Sequence, residues 1–296
     1  MSRRRWFRIT GILILLGALL FAGAAYRAPL RVFNELVPKD RGSVEVADGI
    51  AYGPDGRQRL DIYAPRGTAR NARLPVIVFL YGGWWSSGFK SGYSFVGRAL
   101  AARGFVVVMP DYRLVPHVTF PAFVQDSASA VKWTAAHAET YGGDPTRIVL
   151  AGHSAGAHIM ALVALDPQWL GTTRKSVKAF IGLAGPYDFY PFEAEQTKAA
   201  LGHWPRPMET QPISWASRDD PPVLLLNGAA DDTVRSRNSV ELARRLHAVG
   251  VPASVKLYPG IGHLGVVTSI ALPLRWRAPI LDDMADFVRK TTGSPR

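Results

Sequence analysis

The 296-residue sequence predicts an α/β domain, a mostly parallel sheet with helices on both faces, preceded by a hydrophobic N-terminal helix. Three observations predict it. From residue 43 onward, short β-rich runs alternate with helical patterns, as a layered sheet-and-helix domain requires. The runs from residue 75 onward are nearly continuous in apolar residues, which is how strands covered on both faces read. The length, with 48% hydrophobic and 20% charged residues, suits one large core.

The chain opens with Arg3, Arg4, Arg5 and Arg8, followed by an uncharged run from Ile9 to Tyr26 with Thr10 as its polar break. As a helix this run is long enough to span a bilayer. The arginines before it put the N-terminus in the cytoplasm and the domain outside, a single-pass protein of the cytoplasmic membrane. The alternative is a signal peptide cleaved near Ala22-Gly23-Ala24, which leaves an exported, periplasmic domain. The organisation expected is an anchor or signal segment over 1–27, a linker or short helix over 28–45, and the main domain over 46–296. Strands are expected at 43–46, 58–63, 75–80, 104–109, 147–151, 178–183, 222–226 and 253–258. Helices are expected at 93–103, 121–139, 155–165, 236–249 and 278–291. The stretch 186–220, rich in proline and aromatic residues, breaks the rhythm and is expected to form a small cap over the site.

Composition excludes several classes. There is no cysteine, so disulfides, thiolate zinc sites and cysteine nucleophiles are out. The formal net charge is +12, but beyond the N-terminal arginines the basic residues are scattered, with no basic stripe interleaved with aromatics. A solvated basic surface, not nucleic-acid binding, is therefore expected. Histidines and carboxylates lack metal-ligand spacing, and no nucleotide loop is visible; neither a metal nor another cofactor is expected. Oligomeric state has no signature in the sequence.

The strand at 147–151 runs into Gly152-His153-Ser154-Ala155-Gly156, and a helical pattern follows. This is G-x-S-x-G in the strand–turn–helix setting that its chemistry needs. The serine must sit on a sharp turn for its hydroxyl to project, and the glycines remove Cβ atoms that would strike neighbouring chain. The strand at 75–80 ends in Tyr81-Gly82-Gly83-Trp84-Trp85, where adjacent glycines let backbone N–H groups face a ligand. Gly83, Trp84 and Ala155 are the expected oxyanion donors. After the strand at 222–226 come Asp231 and Asp232, and after 253–258 comes His263. Serine, acid and histidine thus fall at strand ends in the chain order Ser154, Asp231, His263. Asp231 is preferred to Asp232 because it lies three residues past Gly228 and three before Val234. Tyr81, Trp85 and His153 are expected on the substrate pocket. His158, one helical turn past Ser154, is expected to be structural.

These motifs resemble the α/β-hydrolase superfamily, in its carboxylesterase branch of hormone-sensitive-lipase-like and feruloyl-esterase-like enzymes. The resemblance covers about 58 to 290 and rests on YGGWWSSG at 81–88, DYRL at 111–114, FPAFVQDSASAVKW at 120–133, YGGDPTRIVLAGHSAGAH at 141–158, GAADDTV at 228–234 and GIGH at 260–263. It implies the α/β-hydrolase fold and supports Ser154, Asp231 and His263 as a triad, with the loop at Gly83 and Trp84 as oxyanion hole. Tyr81 stands where the family usually has histidine. The function expected is hydrolysis of a small-molecule carboxylic ester through an acyl-enzyme. An amidase or arylformamidase on the same triad is the first alternative, and a non-catalytic, membrane-tethered binding protein the second.

Overall fold

A computed structural model describes residues 29–293. The anchor or signal segment expected over 1–27 lies outside these residues. Among the described residues no helix is long and apolar enough to cross a membrane.

Eight strands form one sheet in the order β1-β2-β4-β3-β5-β6-β7-β8. They are β1 Ser43–Ala51, β2 Arg59–Pro65, β3 Leu74–Leu80, β4 Val106–Pro110, β5 Gly143–His153, β6 Val177–Leu183, β7 Val223–Gly228 and β8 Ala253–Tyr258. Strands β3 to β8 run parallel, whereas β2 is antiparallel to both β1 and β4. The short connection from β1 to β2, closed by Tyr52 N–H on Gln58 C=O at 2.9 Å, leaves no room for a parallel crossover.

The helices are α1 Pro29–Leu36, α2 Ser94–Ala101, α3 Ala122–His137, α4 Ala155–Leu165, α5 Glu195–Leu201, α6 Arg237–Ala248, α7 His263–Thr268 and α8 Ile280–Thr292. Helices α4 and α8 both pack on β3, β5 and β6, and these strands are buried almost throughout, so the sheet is covered on both faces. All residues of α4 are buried, as its sequence AGAHIMALVAL, apolar on every side except at His158, requires. From β3 the chain goes outward to β4 and then crosses back to β5 on the other side of β3. The crevice at such a reversal is where parallel sheets place ligands, and the loops after β3 and β5 open into it.

Within the stretch expected to be a linker or short helix, the described residues 29–45 hold the helix α1 and the start of β1. Asn34 on α1 accepts from Ser94 Oγ (2.9 Å) and Phe95 N–H (3.0 Å) and donates to Ser91 C=O (2.9 Å), so α1 caps the start of α2. Strand β1 begins at Ser43 and runs to Ala51, beyond the 43–46 expected. The excursion 186–220 holds α5 and short 3₁₀ turns, and α7 follows β8 where no helix was expected.

One buried ion pair ties two of the sequence motifs together. Asp126, 1% exposed, accepts from Arg113 Nε (2.9 Å), Arg113 Nη2 (2.7 Å), Arg113 N–H (2.9 Å) and Gln58 Nε2 (2.7 Å). Its removal strands all four donors. Asp126→Ala is therefore expected to destabilise the domain by about 3 kcal/mol, read from urea unfolding midpoints.

Candidate active site

The turn at Ser154 is built by close backbone contact. Ser154 has φ 53° and ψ −123°, a strained conformation for a residue with a side chain. Its N–H donates to Leu183 C=O at 2.8 Å, which fixes the turn to the end of β6. A Cβ on Gly156 would sit 2.3 Å from the carbonyl oxygens of Leu80 and Tyr81, and one on Gly152 would meet Gly156 at 2.5 Å.

The three residues that follow β5, β7 and β8 meet. Ser154 Oγ lies 2.9 Å from His263 Nε2, and His263 Nδ1 lies 2.9 Å from Asp231 Oδ2. The Asp231 side chain is fully enclosed, and its other oxygen accepts from the N–H groups of Thr233 (3.0 Å) and Val234 (2.8 Å). A carboxylate only accepts, so the hydrogen between it and His263 sits on Nδ1, which leaves Nε2 bare toward the serine. Asp232 is exposed on the cleft wall instead. The acid and base loops touch: a Cβ on Gly228 would sit 2.0 Å from Ile261 C=O, and Ala230 N–H donates to that oxygen at 3.0 Å.

The loop after β3 lies against the turn. A Cβ on Gly82 would meet Ser154 Cβ at 2.8 Å. Gly83 C=O accepts from Ser86 N–H (3.1 Å) and Ser87 N–H (2.9 Å), closing a tight turn. Gly83 has φ 139°, Trp84 55° and Trp85 59°. Neither Gly83 N–H nor Trp84 N–H donates within the chain among the described residues. Ala155 is the first residue of α4, whose N-terminal end carries partial positive charge at Ser154.

A cleft of about 600 Å³ opens above Ser154. Trp84, Trp85 and Ala155 line one side, Phe189, Tyr190 and Glu193 of the excursion another, and Asp232, Arg235 and Arg237 a third. Trp85 and Phe189 stack with centroids 6.1 Å apart. Asn238 Oδ1 accepts from the N–H groups of Tyr187 (2.9 Å) and Asp188 (3.0 Å), which pins the excursion to α6.

Tyr81 and His153, expected on the pocket, are enclosed behind it. Tyr81 is fully buried, stacked on Tyr112 at 4.8 Å, and its hydroxyl accepts from Arg57 Nη2 at 2.9 Å. Arg57 also donates to Gly88 C=O (2.9 Å) and Tyr112 C=O (2.9 Å), so it clamps the loop from below. His153, 1% exposed, points into the body between Tyr93 Oη and His263 C=O. Trp85 does line the cleft. Arg57, Tyr93, Phe189 and Asn238 had no motif to mark them; each reaches the site from a different part of the chain.

His158 is buried with Trp85 Nε1 donating to its Nδ1 (3.1 Å) and its Nε2 facing Thr210 C=O (2.8 Å). A carbonyl only accepts, so Nε2 carries the proton and the ring is neutral. Burial pulls its pKa down to about 4 and also lowers that of His153, beside His263, well below the ordinary range. Unfolded histidine titrates near 6.5, so between about pH 6.5 and 4 the unfolded state binds more protons. Stability is complete above this window and falls as pH drops through it, by up to about 1.4 kcal/mol per pH unit for each histidine. His158→Gln is expected to flatten the decline in unfolding free energy measured between pH 6.5 and 5.

The chain is similar to known proteins. The family model BD-FAE matches residues 60–246. Isoprenylcysteine alpha-carbonyl methylesterase ICME of Arabidopsis thaliana is 31% identical over 272 residues, 83% of this chain and 62% of that protein. Esterase LipC of Mycobacterium tuberculosis is 32% identical over 72% of this chain and 58% of its own. The chain thus spans about three-fifths of the length of these relatives. Among solved structures, a truncated carbohydrate esterase from gut microbiota superposes with a TM-score of 0.75 at 24% identity, over 87% of this chain and all of that one. The carboxylesterase EstE1 from a metagenomic library also gives 0.75, at 22% identity over 93% and 97%. With its eight-stranded sheet, its strained serine turn and a family match across more than half its length, the chain belongs to the BD-FAE family, in the carboxylesterase branch of the α/β-hydrolases.

Proposed function

We propose that the protein hydrolyses carboxylic esters through an acyl-enzyme formed on Ser154. The observation that carries this reading is the unbroken hydrogen-bonded chain from Asp231 through His263 to Ser154, at 2.9 Å for each link, beneath an open cleft. Names of relatives and structural neighbours, all esterases, support the same class.

In this mechanism His263 Nε2 takes the Ser154 proton as Oγ attacks the ester carbonyl. Asp231 holds the imidazole and stabilises the imidazolium. The carbonyl oxygen becomes an oxyanion facing the N–H groups of Gly83, Trp84 and Ala155, which are already oriented and therefore cost little reorganisation. His263 then protonates the departing alcohol. Water, activated by the same histidine, releases the acid and restores Ser154. An apolar part of the substrate fits against Trp85 and Phe189, and a polar part faces Glu193, Asp232, Arg235 and Arg237. We also place this domain outside the cytoplasmic membrane, on the strength of the sequence of residues 1–27 alone.

The test is hydrolysis of a p-nitrophenyl ester series by the purified full-length chain, with matched anilides alongside. Ser154→Ala is expected to lower kcat by about 10⁶. Asp231→Asn is expected to lower it by about 10⁴, and Asp232→Asn by less than about 10-fold. Turnover of anilides but not esters would replace the ester reading with an amidase. Silence on both, with Ser154 unlabelled by a fluorophosphonate, would overturn the hydrolase reading.

A further inference from the structure

A second polar chain runs behind Ser154, on the side away from the cleft. Gly82 N–H, in the loop after β3, lies 3.3 Å from Tyr93 Oη. Tyr93 Oη lies 3.0 Å from His153 Nδ1, and His153 Nε2 lies 3.3 Å from His263 C=O. The direction of every proton follows. The His263 carbonyl only accepts, so His153 Nε2 carries hydrogen. The ring is neutral, so Nδ1 is bare and Tyr93 donates to it. The Tyr93 oxygen is then free to accept from Gly82 N–H. Tyr93 and His153 are 3% and 1% exposed, so water does not stand in for either partner. Burial and the neighbouring His263 keep His153 uncharged, which preserves this single direction.

The two ends of this chain lie in different loops. The oxyanion loop follows β3 and the His263 loop follows β8, and three strands lie between them in the sheet. Strand pairing alone therefore does not set the separation of the two loops. Arg57 braces the first and the Asp231 loop braces the second, and the other link between them runs through Ser154 itself, which touches Gly82 and bonds His263. Acyl transfer requires that separation to be held, because misplacing a reacting group by about 1 Å can cost about 100-fold in rate. His153 sits where it spans the gap, since it is the neighbour of Ser154 whose side chain the turn directs inward.

Resting on the esterase reading above, we propose that Tyr93 and His153 are positioning residues: their hydrogen-bonded chain from Gly82 N–H to His263 C=O holds the oxyanion loop and the base at a fixed separation around Ser154. The residue between Gly152 and Ser154 is then a mechanical part of the site and not part of its pocket. Substrate touches neither residue, so the reaction step depends on them and substrate binding does not.

The experiment is steady-state kinetics of the full chain on an ester that the wild type turns over, with Tyr93→Phe, His153→Gln and the double variant, each checked for its unfolding temperature. Tyr93→Phe removes a single oxygen. His153→Gln can put its amide N–H at the Nε2 position facing the His263 carbonyl, but it has a methylene where Nδ1 accepts from Tyr93. Each is expected to lower kcat by about 10-fold or more while KM stays within about 2-fold. The double variant is expected to be no worse than the weaker single by more than about 3-fold, because a chain already broken cannot be broken again. His153→Asn, which keeps the acceptor and loses the donor, replaces His153→Gln if the latter does not fold. Unchanged kcat with only a lower unfolding temperature, losses that multiply, or an effect confined to KM would each overturn the inference and leave the esterase reading intact. A wild-type chain silent on every ester would overturn both.

Discussion

The closeness of β3 to the turn after β5 is the constraint on which the site depends. Gly156 has no Cβ because the carbonyl oxygens of Leu80 and Tyr81 occupy that space, and Gly82 has none because Ser154 does. These contacts bring the loop with the free N–H groups against the serine. They also make the turn sharp enough to force Ser154 to φ 53°, at a cost of order 1–3 kcal/mol. The bond from Ser154 N–H to Leu183 C=O and the burial of all of α4 offset that strain. The crossover from β4 back to β5 is what makes β3 and β5 neighbours in the first place.

Around this contact, polar side chains do the bracing in an otherwise apolar interior. Arg57 fastens Tyr81, Gly88 and Tyr112 to one another. Arg113 and Asp126 join the segment after β4 to α3, and Asn34 joins α1 to α2. Each is well supplied with partners, as buried polar groups must be. Tyr81 fits this scheme: its ring stacks on Tyr112 while its hydroxyl accepts a hydrogen bond from Arg57, so the side chain shapes the loop without facing the cleft.

The inner strands β3 to β7 were legible because burial on both faces leaves apolar runs, whereas β1 and β8 at the sheet edges are largely exposed, and β1 continues to Ala51, past the 43–46 expected. The serine turn was legible because its steric demands are local and leave glycines at fixed offsets. The difference between the two adjacent aspartates is also a local matter: Asp231 folds its carboxylate over the N–H groups of Thr233 and Val234 while still facing His263. What the sequence did not reveal depends on distant neighbours. Whether His153 or Tyr81 faces the cleft or the interior is decided by Tyr93, Tyr112 and Arg57, which no spacing rule links to them. Helix α1 is amphipathic, with Leu30 and Phe33 packed on the core and Asn34 bonded to α2, but at eight residues it is too short to show a period. Helix α7 begins at His263 itself and is too brief to show a period.

The chemical groups and the cleft wall belong to different pieces of chain. Ser154, Asp231 and His263 follow three strands of the sheet, whereas Phe189, Tyr190 and Glu193 sit on an excursion fastened to α6 by Asn238 and braced internally by Gln211, which accepts from Phe189 N–H at 2.8 Å. Thr210 ties the far part of the excursion to His158 beneath Trp85, whereas Phe189, Tyr190 and Glu193 face the cleft. Editing those few facing positions therefore reshapes the cleft wall in descendants of this sequence without touching the strand ends beneath it.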